Sequence, residues 1–429
     1  MNIVLATNTF TSHVGGVARS VEAFTEEYRR RGHRVLVVAP EFPDIPADEV
    51  DVLRVPAIQN FNASDFSVAL PVPTGLSDRL QEFEVDIIHS QHPFLLGMTA
   101  VRMARAFQVP LVFTHHTLYE QYTHYVPGNS DLMRRFIIEL GTRYANLCDQ
   151  VFAPSESVRD LILARGVTAP VLVVPTGVRV EKFARGDGAA ARRRLQIPRD
   201  VFVVGHMGRL AQEKNLEFLA TAVSGFLQTH PGSVFLLVGV GPFEADIRSL
   251  CIRLGVADRL IVAGILQGEY LADALSAMDV FAFASMSETQ GMVLTEAMAA
   301  GAPVVALDAS GVREVVKDKH NGRLLYDATE EEFAAALAWI YQCSPERKQQ
   351  LVAGAQATAE QFSLEKSAEK ALACYERLQS ESPDRWSSTE QGWEQVMRFI
   401  AAEWEVLRTL TQAGDQALTG GQNEANGNE

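Results

Sequence analysis

Ser287-Glu-Thr-Gln-Gly-Met-Val-Leu-Thr-Glu-Ala-Met-Ala-Ala-Gly301 is the stretch that decides the fold. Asp279–Ala284 before it (Asp-Val-Phe-Ala-Phe-Ala) reads as a short buried strand, and Pro303–Leu307 after it reads as another. Between them, Met292–Ala300 is rich in Ala, Met, Leu and Glu, all good helix formers. Gly301 ends that helix as a C′ glycine, and Pro303 prevents its resumption. The pattern is strand–loop–helix–strand, with Glu288–Gly291 at the helix N-terminus. Backbone N–H groups and the helix dipole there suit a phosphate without any basic side chain. Glu288 and Glu296 can then face one ligand, and a carboxylate beside a phosphate site suits hydroxyl groups. Taken alone, the two residues also fit a helix cap and a solvated helical glutamate.

Outward from this unit, strands and helices alternate over most of the 429 residues, which suits two domains. Asn2–Thr7, Arg34–Ala39, Asp86–His89, Val109–Thr114, Gln150–Ala153 and Val171–Val174 read as strands of a first parallel sheet. Val201–Met207, Ser233–Val238 and Leu260–Ala263 begin a second sheet, which Gly311–Val316 and Asn321-Gly322 are expected to complete. The expected division is 1–182 for a first domain and 183–380 for a second, with a linker at Glu181–Ala190. Trp386–Thr411 has helical apolar spacing and is expected, within 381–412, to cross back onto the first domain; 413–429 reads as a disordered tail.

Composition narrows the function. The chain is 47% hydrophobic and 21% charged, as in a globular protein, and its apolar runs fall short of the ~20 residues of a membrane span. Met1–Ala6 reads as a strand and not as a signal peptide. Cys148, Cys251, Cys343 and Cys374 show no paired spacing, which fits reduced thiols in a cytoplasmic protein and no metal site. A net charge of -15 argues against nucleic-acid partners and, more weakly, against anionic lipid.

Candidate ligand residues follow the strands, where open parallel sheets bind their ligands. Gly15 and Gly16 follow the first strand and permit close backbone approach, or a simple tight turn. After Thr114 comes His115-His116-Thr117-Leu118-Tyr119-Glu120-Gln121-Tyr122-Thr123-His124-Tyr125-Val126-Pro127. Adjacent histidines without a nearby cysteine make a poor metal site; a buried polar cluster is the plainer alternative. Arg209 and Lys214 follow the first strand of the second sheet and suit a diphosphate, Arg as a fork and Lys as a point charge. Gly239 and Gly241 would let a nucleotide approach, and Gly264 follows the next strand.

These words together resemble glycosyltransferase family 4, whose members retain the α configuration on a GT-B fold. The resemblance lies in the glutamates eight positions apart, the Gly-Gly loop, His116-Thr117 and Gly-Arg-x4-Lys. It implies two doubly wound, Rossmann-like domains facing across a cleft. It implies donor contacts from Gly15, Gly16, Gly241, Gly264, Thr289, Gln290, Gly291, Met292, Val293 and Glu296, and catalytic roles for His116, Arg209, Lys214 and Glu288. It implies no cofactor and no metal, with a nucleotide diphosphate sugar as co-substrate. His-Thr-Leu-Tyr-Glu-x-Tyr-x-His-Tyr-Val-Pro and Glu-Thr-Gln-Gly, with Gln290 where most members have Phe, are similar to the subgroup that glucosylates diacylglycerol. That subgroup implies UDP-glucose, a lipid acceptor near Tyr119, Tyr122, His124 and Tyr125, and peripheral contact with the inner face of a membrane through the first domain. Arg102, Arg105, Arg134, Arg135, Phe61 and Phe66 are the candidates for that contact. The readings that stay open are a family 4 transferase with a soluble or polysaccharide acceptor and a GT-B nucleotide-sugar epimerase.

Overall fold

The computed structural model describes residues 1–11, 15–42, 49–58, 68–69, 76–118, 131–286 and 288–381. The first sheet is built from β1 (Asn2–Ala6), β2 (Arg34–Pro40) and β3 (Val52–Val55); beside it lies a two-stranded antiparallel pair, β4 (Ala57–Ile58) and β5 (Val68–Ala69). β6 (Ile87–Ser90), β7 (Leu111–Thr114), β8 (Gln150–Ala153) and β9 (Val171–Val173) complete it. Its order is β3-β2-β1-β6-β7-β8-β9, with every pairing parallel. The second sheet holds β10 (Phe202–Met207), β11 (Ser233–Val238), β12 (Leu260–Val262), β13 (Val280–Phe283), β14 (Val304–Leu307) and β15 (Gly322–Leu325). Its order is β12-β11-β10-β13-β14-β15, again all parallel. The strands are near-continuous Val, Ile, Leu and Phe runs because helices cover both faces of each sheet.

The strand order reverses beside β1 in one sheet and beside β10 in the other, so each domain has its ligand crevice beyond those strand ends. In the second domain, Phe281 and Phe283 of β13 stack on the ring of His206 in β10. Burying each such ring contributes about 1.5–3 kcal/mol, which fixes the strand that feeds the Ser287–Gly301 unit. The helix of that unit is Met292–Ala299, and Gly301 ends it at φ +90° with its N–H on the Met298 carbonyl.

Three expectations change. Gly311–Val316 does not extend the sheet: Val312–Val315 is a short helix, and the last strand begins at Gly322. Glu181–Ala190 is no loose linker but belongs to two short helices, Val180–Ala184 and Gly188–Arg194. A Cβ on Gly186 would stand 2.3 Å from the Ala272 carbonyl oxygen, and one on Gly188 would stand 2.4 Å from that of Ser276. Those glycines serve close packing on helix Gly268–Ser276, not flexibility.

The third change concerns the return crossing. Helix Leu364–Ser380, expected within the second domain, packs on the first sheet. Ala368, Ala371, Leu372, Tyr375 and Leu378 share a core with Ile3, Leu5, Val37 and Phe152. The Tyr375 ring stacks on Phe152, its hydroxyl lies 2.6 Å from His89 Nδ1, and Arg377 donates to the Gln150 side chain at 2.8 Å. This apolar face has the spacing of a buried helix, and the first sheet is the surface it covers. The expected helix within 381–412 and the tail 413–429 lie outside the described residues.

Candidate functional site

Gly15 precedes helix Gly16–Arg30 in extended conformation, and its carbonyl accepts the Arg19 N–H at 3.1 Å. This sets Arg19 in the first turn, from where its guanidinium crosses to the second domain and pairs with the Glu296 carboxylate. Glu296 is 4% exposed. Burial pushes its pKa up, against the lowering influence of Arg19 and Lys182. Its second oxygen, Oε2, has no partner among the described residues, so a buried acceptor is left open beside the helix N-terminus.

The donor loop owes its shape to two glycines. Gly291 caps helix Met292–Ala299 in the left-handed region, at φ +71°, which favours glycine. Gly311, at φ +74°, lets its own loop lie against the Gln290 backbone; a Cβ there would meet Gln290 Cα at 2.7 Å. Lys214, at the end of the 3-10 turn Gln212–Lys214, pairs through Nζ with the Glu288 carboxylate. Both side chains are about a fifth exposed, so the pair sits in a partly desolvated recess where its attraction is stronger than in water. Arg209 is exposed in the same loop.

Five hydrogen bonds join the donor side to the strand-end loops of the first domain. Thr289 Oγ1 donates to the His116 carbonyl at 2.9 Å, and Ser155 Oγ donates to the Thr289 carbonyl at 2.7 Å. Gln290 Oε1 accepts the Thr176 N–H at 2.6 Å. Glu314, on the short helix after Gly311, accepts the N–H groups of Glu156 and Ser157 at 2.8 and 2.7 Å. It thereby places a carboxylate at the N-terminus of helix Glu156–Ala164, where the helix dipole favours it. Gln290 Nε2 has no partner among the described residues.

His116 lies on the wall of a small cavity that is also lined by His89, Gln91, Thr114 and Thr176. Its Nε2 is 2.7 Å from Gln91 Oε1. Burial, then the neighbouring His115, pushes its pKa down to about 3, so the ring is neutral near pH 7.

The structure thus brings Glu288, Thr289, Gln290, Gly291 and Glu296 together with Lys214 and His116, and it places Met292 and Val293 in the first helical turn behind them. Gly16 has open space where a Cβ would be. Gly239 and Gly241 are required by the fold itself. Their missing side chains make room for the Gly208 and Leu210 carbonyl oxygens, which would lie 1.9 and 2.2 Å from a Cβ. Gly264 accepts the Gly239 N–H at 2.8 Å and so joins that turn. Tyr119, Tyr122, His124 and Tyr125 lie outside the described residues, as do Phe61 and Phe66. Among the described residues no cluster of His, Cys, Asp or Glu has metal-binding geometry, and no helix is long and apolar enough to cross a membrane.

Sequence reading missed Arg19, Gln91, Thr176 and Glu314, and saw Ser155 only as a helix cap. That cap is present, with Ser155 Oγ accepting the Val158 N–H. The other contacts pair residues more than a hundred positions apart, except Gln91 and His116, and no local spacing announces them.

Two all-parallel domains set strand end to strand end, with a lysine, two glutamates and a helix N-terminus at the junction, define a GT-B glycosyltransferase. Known proteins agree. The family model described as Glycosyltransferase Family 4 matches residues 14–182, and that described as Glycosyl transferases group 1 matches residues 188–357. The alpha-monoglucosyldiacylglycerol synthase of Streptococcus pneumoniae (strain ATCC BAA-255 / R6) is 29% identical over 332 residues, 76% of this chain and 75% of that protein. A GDP-mannose-dependent alpha-mannosyltransferase of Mycobacterium tuberculosis (strain CDC 1551 / Oshkosh) is 31% identical over 341 residues, 76% of this chain and 84% of its own. Anabaena Alr3699/HepE, solved in complex with UDP, superposes with a TM-score of 0.70 at 22% identity over 88% of this chain and all of that one. The chain belongs to glycosyltransferase family 4.

Proposed function

We propose that this glycosyltransferase moves glucose from UDP-glucose, with retention of configuration and without a metal ion, to a hydroxyl of diacylglycerol or a related lipid. The observation that carries the reading is the Thr289 hydroxyl bound to the His116 carbonyl, because it joins the donor loop of one domain to the strand-end loop of the other. Lys214 exchanges Glu288 for the incoming diphosphate, and Arg209 and the N-terminus of helix Met292–Ala299 share the charge that develops there. Each such donor is worth about 3 kcal/mol in the transition state. Glu288, released from Lys214, takes sugar hydroxyls, and the open Glu296 oxygen accepts a ribose hydroxyl. The anomeric C–O bond to the diphosphate breaks, the acceptor oxygen bonds to the same face, and its proton passes to the leaving phosphate. His116 lies near the transferred sugar.

The lipid acceptor rests on the words His116–Pro127 and Glu288–Gly291, and on the likeness to the pneumococcal synthase. Peripheral contact with the inner face of the membrane follows from such an acceptor. The likeness to the mannosyltransferase favours a second reading, in which the donor is GDP-mannose and the acceptor differs. Purified protein incubated with a panel of UDP- and GDP-sugars, against diacylglycerol vesicles and soluble sugars, separates the two. Transfer to soluble acceptors alone refutes the lipid acceptor. Conversion of a nucleotide sugar without any acceptor identifies an epimerase instead.

A further inference from the structure

Gln91 follows β6 directly, at the reversal of strand order beside β1, and its N–H is fixed on the Ala6 carbonyl at 2.9 Å. Its side chain is buried, 3% exposed. The amide nitrogen, Nε2, points to the His89 carbonyl at 3.4 Å, which leaves Oε1 as the atom that meets His116 Nε2 at 2.7 Å. A carbonyl oxygen can only accept, so His116 must carry its hydrogen on Nε2. With the hydrogen on Nδ1, two lone pairs would face each other across the 2.7 Å gap. Turning the amide over would set its oxygen against the His89 carbonyl oxygen. Either conflict would leave a buried polar group unsatisfied, which costs about 1–3 kcal/mol. The backbone of His116 is held as well, its N–H on the Thr114 carbonyl at 3.1 Å and its own carbonyl on Thr289 Oγ1.

We propose that Gln91 is a positioning residue for the transfer reaction: it fixes the His116 ring as the neutral Nε2–H tautomer, so that Nδ1 is the ring's hydrogen-bond acceptor. The partner of Nδ1 is then a hydroxyl of the transferred sugar or of the acceptor. This rests on the reading of His116 as a site residue. The low pKa of the ring agrees with it, since burial disfavours the imidazolium form.

The ring nitrogens of protein labelled with 15N-histidine report the tautomer directly, with His116→Asn assigning the signal. The wild type should show Nε2 protonated and Nδ1 bare at pH 7.5. Gln91→Leu should mix the tautomers and lower kcat about tenfold, the worth of one buried hydrogen bond. UDP affinity by calorimetry should be unchanged, because a merely structural defect would disturb both. A wild-type ring protonated on Nδ1, or an unchanged kcat in Gln91→Leu, overturns the proposal. If the wild type transfers no sugar from any nucleotide donor, the functional reading falls and the catalytic part of this proposal falls with it. The nitrogen spectrum still decides whether Gln91 sets the ring.

Discussion

Removing the Glu314 carboxylate should loosen the two domains from each other. Glu314 takes two backbone N–H groups across the junction, at 2.8 and 2.7 Å, from the first turn of helix Glu156–Ala164. A hydrogen bond to a charged group contributes about 1.5–3 kcal/mol when well buried. Here the side chain is half-exposed and the bonds lie at the rim, so water and salt replace much of that worth. A loss of about 1–2 kcal/mol is left for Glu314→Ala, or about 5- to 30-fold in the balance between joined and parted domains. Glu314→Gln keeps one acceptor oxygen without the charge and should lose about half. Single-molecule energy transfer between a dye on helix Leu96–Phe107 and one on helix Glu330–Tyr341 reads the balance without substrate. The low-transfer population should grow in the order wild type, Gln, Ala, and the wild type should shift the same way as salt is raised. An unchanged distribution in Glu314→Ala would show that the contact follows closure and does not hold it.

The remaining predictions concern the site. Transfer should survive a strong chelator, because Arg209, Lys214 and backbone groups carry the neutralising charge; complete loss restored by magnesium would refute this. Arg209→Ala and Lys214→Ala should each lower kcat about 10²-fold, the exposed Arg209→Ala with melting temperature little changed, and an undiminished rate in either would place the diphosphate elsewhere. Glu296→Gln should melt higher than wild type near pH 7 while binding UDP more weakly. Burial raises the folded-state pKa of Glu296, so its ionisation removes stability as pH rises from the ordinary glutamate range through the raised value; the advantage of Gln should vanish below that range. Arg134 and Arg135 are exposed on helix Asp131–Ala145, and reversing both to Glu should weaken sedimentation with anionic vesicles but leave UDP binding intact.

Most of the architecture was legible because parallel strands covered on both faces are written as unbroken apolar runs. Gln150–Ala153 and Ser233–Val238 have the expected bounds, and the other expected core strands lie within a residue or two of theirs, except Gly322–Leu325, expected only as Asn321-Gly322; the edge strand Val52–Val55 is not among the expected strands. The loop Glu288–Gly291 was legible for a local reason, since a strand, a left-handed glycine and a short helix leave few ways to arrange the backbone. The linker was misread because Gly186 and Gly188 look like flexibility, whereas their neighbour in space is a helix more than eighty residues on. Gly239 and Gly241 carried the same ambiguity: a missing side chain signals close approach but not whether the visitor is ligand or protein backbone. Arg19, Thr176 and Glu314 gave no sign at all, because an interdomain partner depends on how two separately folded sheets meet.

Helix Leu364–Ser380 also sets the order of events on the ribosome. It covers the face of the first sheet formed by Ile3, Leu5, Val37 and Phe152, yet it is made last among the described elements. About 190 residues separate the last strand of that sheet from the helix. At ~5–20 residues per second, the sheet waits roughly 10–40 s with this face covered only in part, by helix Gly16–Arg30. A nascent chain stalled before Leu364 should therefore bind chaperone through its first half, and release should coincide with emergence of Tyr375. The enzyme's first domain is finished by the last of its described helices.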